Sequence, residues 1–499
     1  MLVAIIGRTY QLDKRPMHLD EAVHAIKFID LLENGNYRYD PHEYHGPTLY
    51  YLSLPVAWLR GQTSGAELTE TTLRFVSILA SILFFIPLFF MGKITKGHTP
   101  VAAALAIAIS PIAFYYSRYY IHEILLTGFM FAFIVSAWRY TINHKWGWAF
   151  TAGLFLGLAF ATKETITIAI TAIAVAFVST TLTEANLRKR LYKKTDWRHI
   201  LLALVALLAV ITLFYSSFFT NFLGILDFMK SHFNFLNRAG GQGHAKPWFY
   251  YLKMMVYFKD RPGFNATEIY FILPALATGI VAFSGKIKDE QTRAFVKFIS
   301  IYSLTLIIIY SCIPYKMPWI ALNWMQPITV LTGIGITLLL GKISDKILRF
   351  IIIIACLLSA WHLGYQIQIE NGRFMCDSRN PYVYSHTGTD FLRLPKMINA
   401  VAAIDPLNKS MPITIISDEY WPLPWYLREY SSVGYWQSVP EQPIESPLII
   451  TSIDTATKLY ETLGSKYVQG IYGLRRGVIL VAFVRNDLWK KYLEQKTTN

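Results

Sequence analysis

The chain is 499 residues long, 54% hydrophobic, 15% aromatic and 16% charged, with a mean hydropathy of +0.34, a composition too apolar for a soluble enzyme of this length. A formal charge of +15 would suit nucleic acid, but Lys and Arg fall largely in short loops between apolar segments, so orientation in a membrane accounts for them and no nucleic-acid partner is expected. The three cysteines, Cys312, Cys356 and Cys376, are odd in number and widely spaced, which supports neither a disulfide framework nor a cysteine metal site.

Residues 1–7 (MLVAIIG) are apolar but too short to span a bilayer, and no basic region with a cleavage site marks a signal peptide. They read as the end of a first transmembrane helix whose beginning is missing. Apolar segments then follow near 72–92, 99–117, 124–141, 148–162, 165–182, 200–220, 268–284, 295–313, 319–340 and 347–366. Each approaches the roughly 20 residues a spanning helix needs, with 148–162 short. The expected fold is a polytopic α-helical membrane protein of about 11 spans, the first truncated. Beyond 366 the apolar runs shorten to strand length, at 412–417, 447–452, 467–474 and 478–485, with helical candidates at 454–463 and 487–494 that Asp454 and Asn486 or Asp487 could cap. The expected division is therefore 1–366, a transmembrane domain, and 367–499, a small α/β domain outside the membrane.

Loop charge predicts the orientation. With the N-terminus inside, the inner loops carry Lys93 and Lys96; Arg139 and Lys145; Arg188 to Arg198; Lys286, Lys288 and Arg293; and Lys342, Lys346 and Arg349, a positive-inside pattern. The opposite side receives 8–70, 118–123, 162–165, a long loop at 221–267, 313–318 and everything after about 367. An inner or plasma membrane protein with an extracytoplasmic working face is expected.

The candidate chemistry lies in those outer loops. Asp20-Glu21 opens an amphipathic helix; a carboxylate there is stabilised by the helix terminus as a cap, and is also placed to act as a general base or metal ligand. His42-Glu43-Tyr44-His45 precedes a Gly46-Pro47 turn, with a spacing that matches no strong zinc signature. Arg118 and Glu123 flank a tiny turn near membrane depth, where ionisable residues are costly and usually serve a site; a structural Arg–Glu pair is the alternative. Lys163-Glu164 interrupts an apolar run, either as a simple helix–helix turn or as part of that site. Lys316 sits between Pro314 and Pro318 beside Trp319, as a held cation or a snorkelling one. Arg118, Lys163 and Lys316 together would form an electropositive pocket for phosphate.

The order Asp20-Glu21, His45-Gly46-Pro47, Arg118 to Glu123, Lys163, Lys316-Met317-Pro318-Trp319 resembles the GT-C superfamily of membrane glycosyltransferases. The likeness is to the branch of protein O-mannosyltransferases and lipid A aminoarabinose transferases. His18 to Ala25, Tyr315 to Trp319 and Tyr420-Trp421-Pro422-Leu423-Pro424-Trp425-Tyr426-Leu427-Arg428 resemble a subgroup described as flippase activity-associated proteins. The resemblance implies a polyprenyl-phosphate-linked sugar as donor and a lipid, glycan or protein hydroxyl as acceptor. It makes Asp20 the base with Glu21 in support and Glu123 the second acid. His45, Arg118, Lys163 and Lys316 would bind substrate, and a divalent metal held by Asp20 and Glu123 is allowed but not required. No Trp-Trp-Asp-Tyr-Gly signature is present, which argues against whole-glycan transfer to asparagine. A flippase or transporter of lipid-linked sugars, or a non-catalytic assembly partner, is the alternative; no repeat of the kind transporters show is detected.

Overall fold

The computed structural model describes residues 2–35, 37–42, 45–95, 97–238, 244–260 and 265–498; Glu43, Tyr44 and Lys96 lie outside them. The chain forms two compact units. The first comprises residues 1–12, 36–56 and 71–384, and the second 13–35, 57–70 and 385–499. Two stretches from the N-terminal part thus belong to the same unit as the C-terminal domain.

In the first unit every predicted apolar segment is helical. Seven helices among the described residues are long and apolar enough to cross a membrane: Glu70–Met91, His122–Asn143, Ile166–Thr183, Trp197–Tyr215, Glu290–Cys312, Pro318–Lys342 and Lys346–Asn371. Asp196, Asp289 and Asp345 cap three of them by accepting a backbone N–H from the first turn. The run at 99–117 breaks into Thr99–Ala108 and Pro111–Tyr116, because Pro111 offers no N–H and disfavours helical geometry at Ser110. Trp146–Phe160 has 15 residues, about 22 Å at the helical rise, and lies tightly against Trp197–Tyr215. A Cβ on Gly153 would stand 2.0 Å from the Ala203 carbonyl oxygen, so only glycine admits that approach. The expected loop at 221–267 instead contains the helices Leu223–Arg238 and Tyr250–Val256, since its Phe, Leu and Met residues recur at helical spacing.

The second unit is built on a five-stranded sheet: β1 (Ile413–Ile416), β2 (Val433–Trp436), β3 (Leu448–Ser452), β4 (Tyr467–Arg475) and β5 (Val478–Arg485), in the order β2-β1-β3-β5-β4. β1 runs parallel to β2 and β3, whereas β5 is antiparallel to β3 and β4. Period-two alternation sends Leu448, Ile450, Leu480, Ala482 and Val484 to one face, where Leu394, Ile398 and Val401 of the Arg393–Ala402 helix cover them. Ile449, Val481 and Phe483 face the other way, under Ala456, Leu459 and Leu463 of the Ile453–Leu463 helix. Ser452, not Asp454, caps that last helix by accepting the Thr455 N–H. The edge strand β2 escapes the sequence pattern because its side chains are half-buried or exposed.

Candidate functional site

The acidic pair belongs to the second unit. The Leu19–Asn34 helix starts at His18, whose ring accepts the Asp20 N–H, and ends at Gly35 in the left-handed region. His18 is the cap; Asp20 and Glu21 occupy the second and third helical positions. Glu21 closes a capping box, taking the His18 N–H at 3.0 Å on Oε2 and the Arg15 guanidinium at 3.1 Å on Oε1, and it is completely buried. Asp20 is half-buried, and among the described residues no hydrogen bond reaches its carboxylate. One of two adjacent acids therefore builds the helix and the other is left over.

The Tyr420–Arg428 segment secures this arrangement within the same unit. Tyr426 Oη accepts the Met17 N–H at 3.0 Å, and Thr387 donates to the Met17 carbonyl at 2.7 Å, pinning the backbone immediately before the His18 cap. Trp425 Nε1 donates to Glu70 at 2.8 Å, while Arg428 stacks on Trp425 and donates to the Gly65 and Leu68 carbonyls.

The first unit gathers a second cluster from three turns. Gly46 N–H donates to the Thr162 carbonyl at 2.9 Å and Thr48 N–H to the Ala161 carbonyl at 3.2 Å. A Cβ on Gly46 would meet the Ala161 oxygen at 2.3 Å, so this glycine is what lets the two turns touch. That contact brings His45 to Glu164 at 2.9 Å, with Tyr39 donating to the other carboxylate oxygen at 2.9 Å. His122 bonds the Gly46 carbonyl at 2.9 Å, its ring 5.3 Å from that of His45. Beside it the Lys163 ammonium donates to Glu123 Oε1, both side chains nearly inaccessible. The Arg118–Glu123 pair considered from sequence does not form: Glu123 takes Lys163, and Arg118 donates to the Tyr10 and Gln11 carbonyls at 2.7 and 3.0 Å.

Lys316 is a held cation rather than a snorkelling one. An isolated bridge pairs Ala245 with Tyr315, the Lys316 N–H donates to the His244 carbonyl at 3.2 Å, and its ammonium donates to the Ile313 carbonyl. Tyr251 ties down the next residue through the Met317 carbonyl at 3.1 Å. Burial pushes the Lys316 ammonium below the ordinary lysine range.

Sequence reasoning singled out His45, Glu123 and Lys163, which the structure brings into one cluster. It left Glu164 open between a turn residue and part of the site, and did not weigh His122 or Tyr39, whose only signal is a polar side chain beside a candidate. Burial opposes ionisation of Glu164, yet His45 and the Tyr39 hydroxyl outweigh it and hold the carboxyl at about 2. A depressed carboxyl contributes stability that is present above its unfolded value near 4.5 and lost as pH falls through about 2. His45→Ala is expected to erase much of that increment, about 1–2 kcal/mol, because His45 is 32% exposed and partly screened. Acid unfolding followed in detergent checks this: the variant should begin to unfold at higher pH than the parent.

Near Glu123 a cation is already supplied by the protein itself. Among the described residues no group of three or more His, Cys, Asp or Glu side chains is arranged to hold a metal ion, and the Lys163 ammonium already sits on Glu123 Oε1.

Comparison with known proteins agrees with this architecture. A sequence model of the family described as dolichyl-phosphate-mannose-protein mannosyltransferase matches residues 56–215, whereas no curated protein matches the chain. Among solved structures the chain is similar to ArnT from Cupriavidus metallidurans bound to undecaprenyl phosphate, at 16% identity over 96% of each chain with a TM-score of 0.62. It is similar also to the same protein in the apo state, at 15% identity over 96% of each chain with a TM-score of 0.64. The chain therefore has the fold of ArnT and, over residues 56–215, matches the sequence model described as dolichyl-phosphate-mannose-protein mannosyltransferase.

Proposed function

We propose that the chain transfers a sugar from a polyprenyl-phosphate-linked donor to an acceptor hydroxyl, on the membrane face opposite its basic loops. The observation that carries this reading is the contrast within the acidic pair: Glu21 is spent on the capping box, while Asp20 stands half-exposed with no bond to its carboxylate among the described residues. A carboxylate placed so is suited to take a proton from an incoming hydroxyl. In the proposed inverting displacement the acceptor oxygen bonds to the anomeric carbon as its proton passes to Asp20. The bond from that carbon to the phosphate oxygen breaks. Arg118, Lys163 and Lys316 are the cations proposed to meet the charge on the departing polyprenyl phosphate, with His45 beside the donor. The capture of undecaprenyl phosphate by ArnT supports a lipid phosphate as donor; lipid, glycan and protein hydroxyls are the acceptor classes to screen.

The test is to incubate the purified protein with a panel of polyprenyl-phosphate sugars and candidate acceptors. Release of polyprenyl phosphate with a new glycoside is the expected result. Movement of the lipid across a liposome without release would overturn it in favour of transport. Chelation with EDTA is expected to leave transfer unchanged; loss that Mg²⁺ or Mn²⁺ restores would return Glu123 and Asp20 to a metal-binding role.

A further inference from the structure

An apolar cavity of about 470 Å³ opens among the Ser81–Phe84 3₁₀ segment and the Ile86–Met91, His122–Asn143 and Trp146–Phe160 helices. Its walls are Leu83, Phe90, Val135 and Phe155, and the only polar side chains other than tryptophan on them are Ser136, Thr151 and Lys145. Thr151 is turned back onto the Trp148 carbonyl at 3.2 Å. A sugar or nucleotide would find too few convergent hydrogen-bond partners here; a hydrocarbon chain needs none. The cavity has the volume class of one lipid chain or a small drug, not of a whole phospholipid.

Its rim is cationic. Lys145 is exposed at the turn that closes the cavity, beside Trp146, which is 62% exposed. Trp148, another lining residue, carries the Arg139 guanidinium 5.2 Å over its ring, and Arg139 Nε is buried with no partner among the described residues. The neighbouring His144 likewise has both ring nitrogens without a described partner, and the charges acting on it are all basic, from Lys194, Arg190 and His199. Amphipathic indoles at a basic rim above an apolar slot match a lipid at headgroup depth, on the side of the membrane that carries the basic loops.

We infer that this cavity seats one acyl chain of an anionic glycerophospholipid, whose phosphodiester rests on Lys145 and Arg139. The seat lies apart from the Glu123 and His45 cluster and does not depend on the proposed reaction. Native mass spectrometry of the purified protein, incubated with phosphatidylglycerol or phosphatidylcholine of identical chains, tests it. Phosphatidylglycerol is expected to be retained roughly tenfold better, as one or two basic side chains at the headgroup imply. Lys145→Ala, a change at an exposed position that leaves folding alone, should remove most of that preference, and Arg139→Gln with it the rest. Val135→Trp should fill the slot and lower retention of both lipids. Equal retention of the two lipids, a preference unchanged in Lys145→Ala, or displacement of phosphatidylglycerol by equimolar polyprenyl phosphate would overturn the assignment.

Discussion

Asp20→Asn is expected to lower transfer by about 10²- to 10⁴-fold, the range a positioned general base contributes, while leaving the protein folded. No described hydrogen bond to the Asp20 carboxylate is lost, so the structural cost is confined to the weakened interaction of a charge with the helix N-terminus, about 0.3–1 kcal/mol. Its neighbour should behave in the opposite way. Glu21→Ala leaves the buried His18 N–H and the Arg15 guanidinium without the oxygens they now bond at 3.0 and 3.1 Å, which should cost about 1–3 kcal/mol of stability. Activity per folded molecule would then fall only as far as the helix shifts. Thermal unfolding in detergent alongside release of polyprenyl phosphate separates the two effects. Full activity in Asp20→Asn, or an inactive but fully stable Glu21→Ala, would exchange their roles and sink the assignment of Asp20 as base.

The second large effect concerns Glu123 and Lys163, which pair with side chains only 3% and 8% exposed. Removing one member of a buried pair leaves the other as an uncompensated charge, and each of Glu123→Gln and Lys163→Met should cost about 3–5 kcal/mol. The double variant should lose clearly less than the sum of the two, because no charge is then stranded. Unfolding of the four proteins in mixed micelles gives the coupling directly; additive losses would show that the two groups do not interact in the folded protein. Activity carries separate information. If Lys163 also meets donor phosphate, the double variant will be stable yet inactive, with the loss falling on donor KM as well as kcat.

The helical part of the fold was legible because a bilayer leaves few options. Backbone groups in hydrocarbon must bond within their own segment, so an apolar run near spanning length becomes a helix. Each of the ten predicted runs did so, down to the short one at 146–160. The strands at 413–416, 448–452 and 478–485 were legible for a related reason: buried strands read as short continuous apolar runs. Of the two edge strands, the nine-residue one at 467–475 still showed as a strand-length run, whereas the four residues of β2, half-buried or exposed, did not.

The candidate residues were legible by type and not by partnership. Charges between apolar segments stand out because they are costly there, and that sufficed to single out Asp20, Glu21, Glu123, Lys163 and Lys316 as candidates. Which acid would be spent on structure could not be read from two adjacent carboxylates. His18 turned out to be the cap, and that placed Glu21, three residues on, in the capping box. Nor could the sequence say that Glu123 takes Lys163, 40 positions away, or that Arg118 holds backbone carbonyls more than 100 positions away. By itself, then, the sequence determined the membrane class, the helices and the inventory of ionisable groups, all of which follow from local hydropathy and periodicity. The pairing of those groups, and with it the distinction between the carboxylate that builds the helix and the one with no described bond, was decided only by tertiary structure, because contacts such as Gly46 against Ala161 bring distant turns within hydrogen-bond reach.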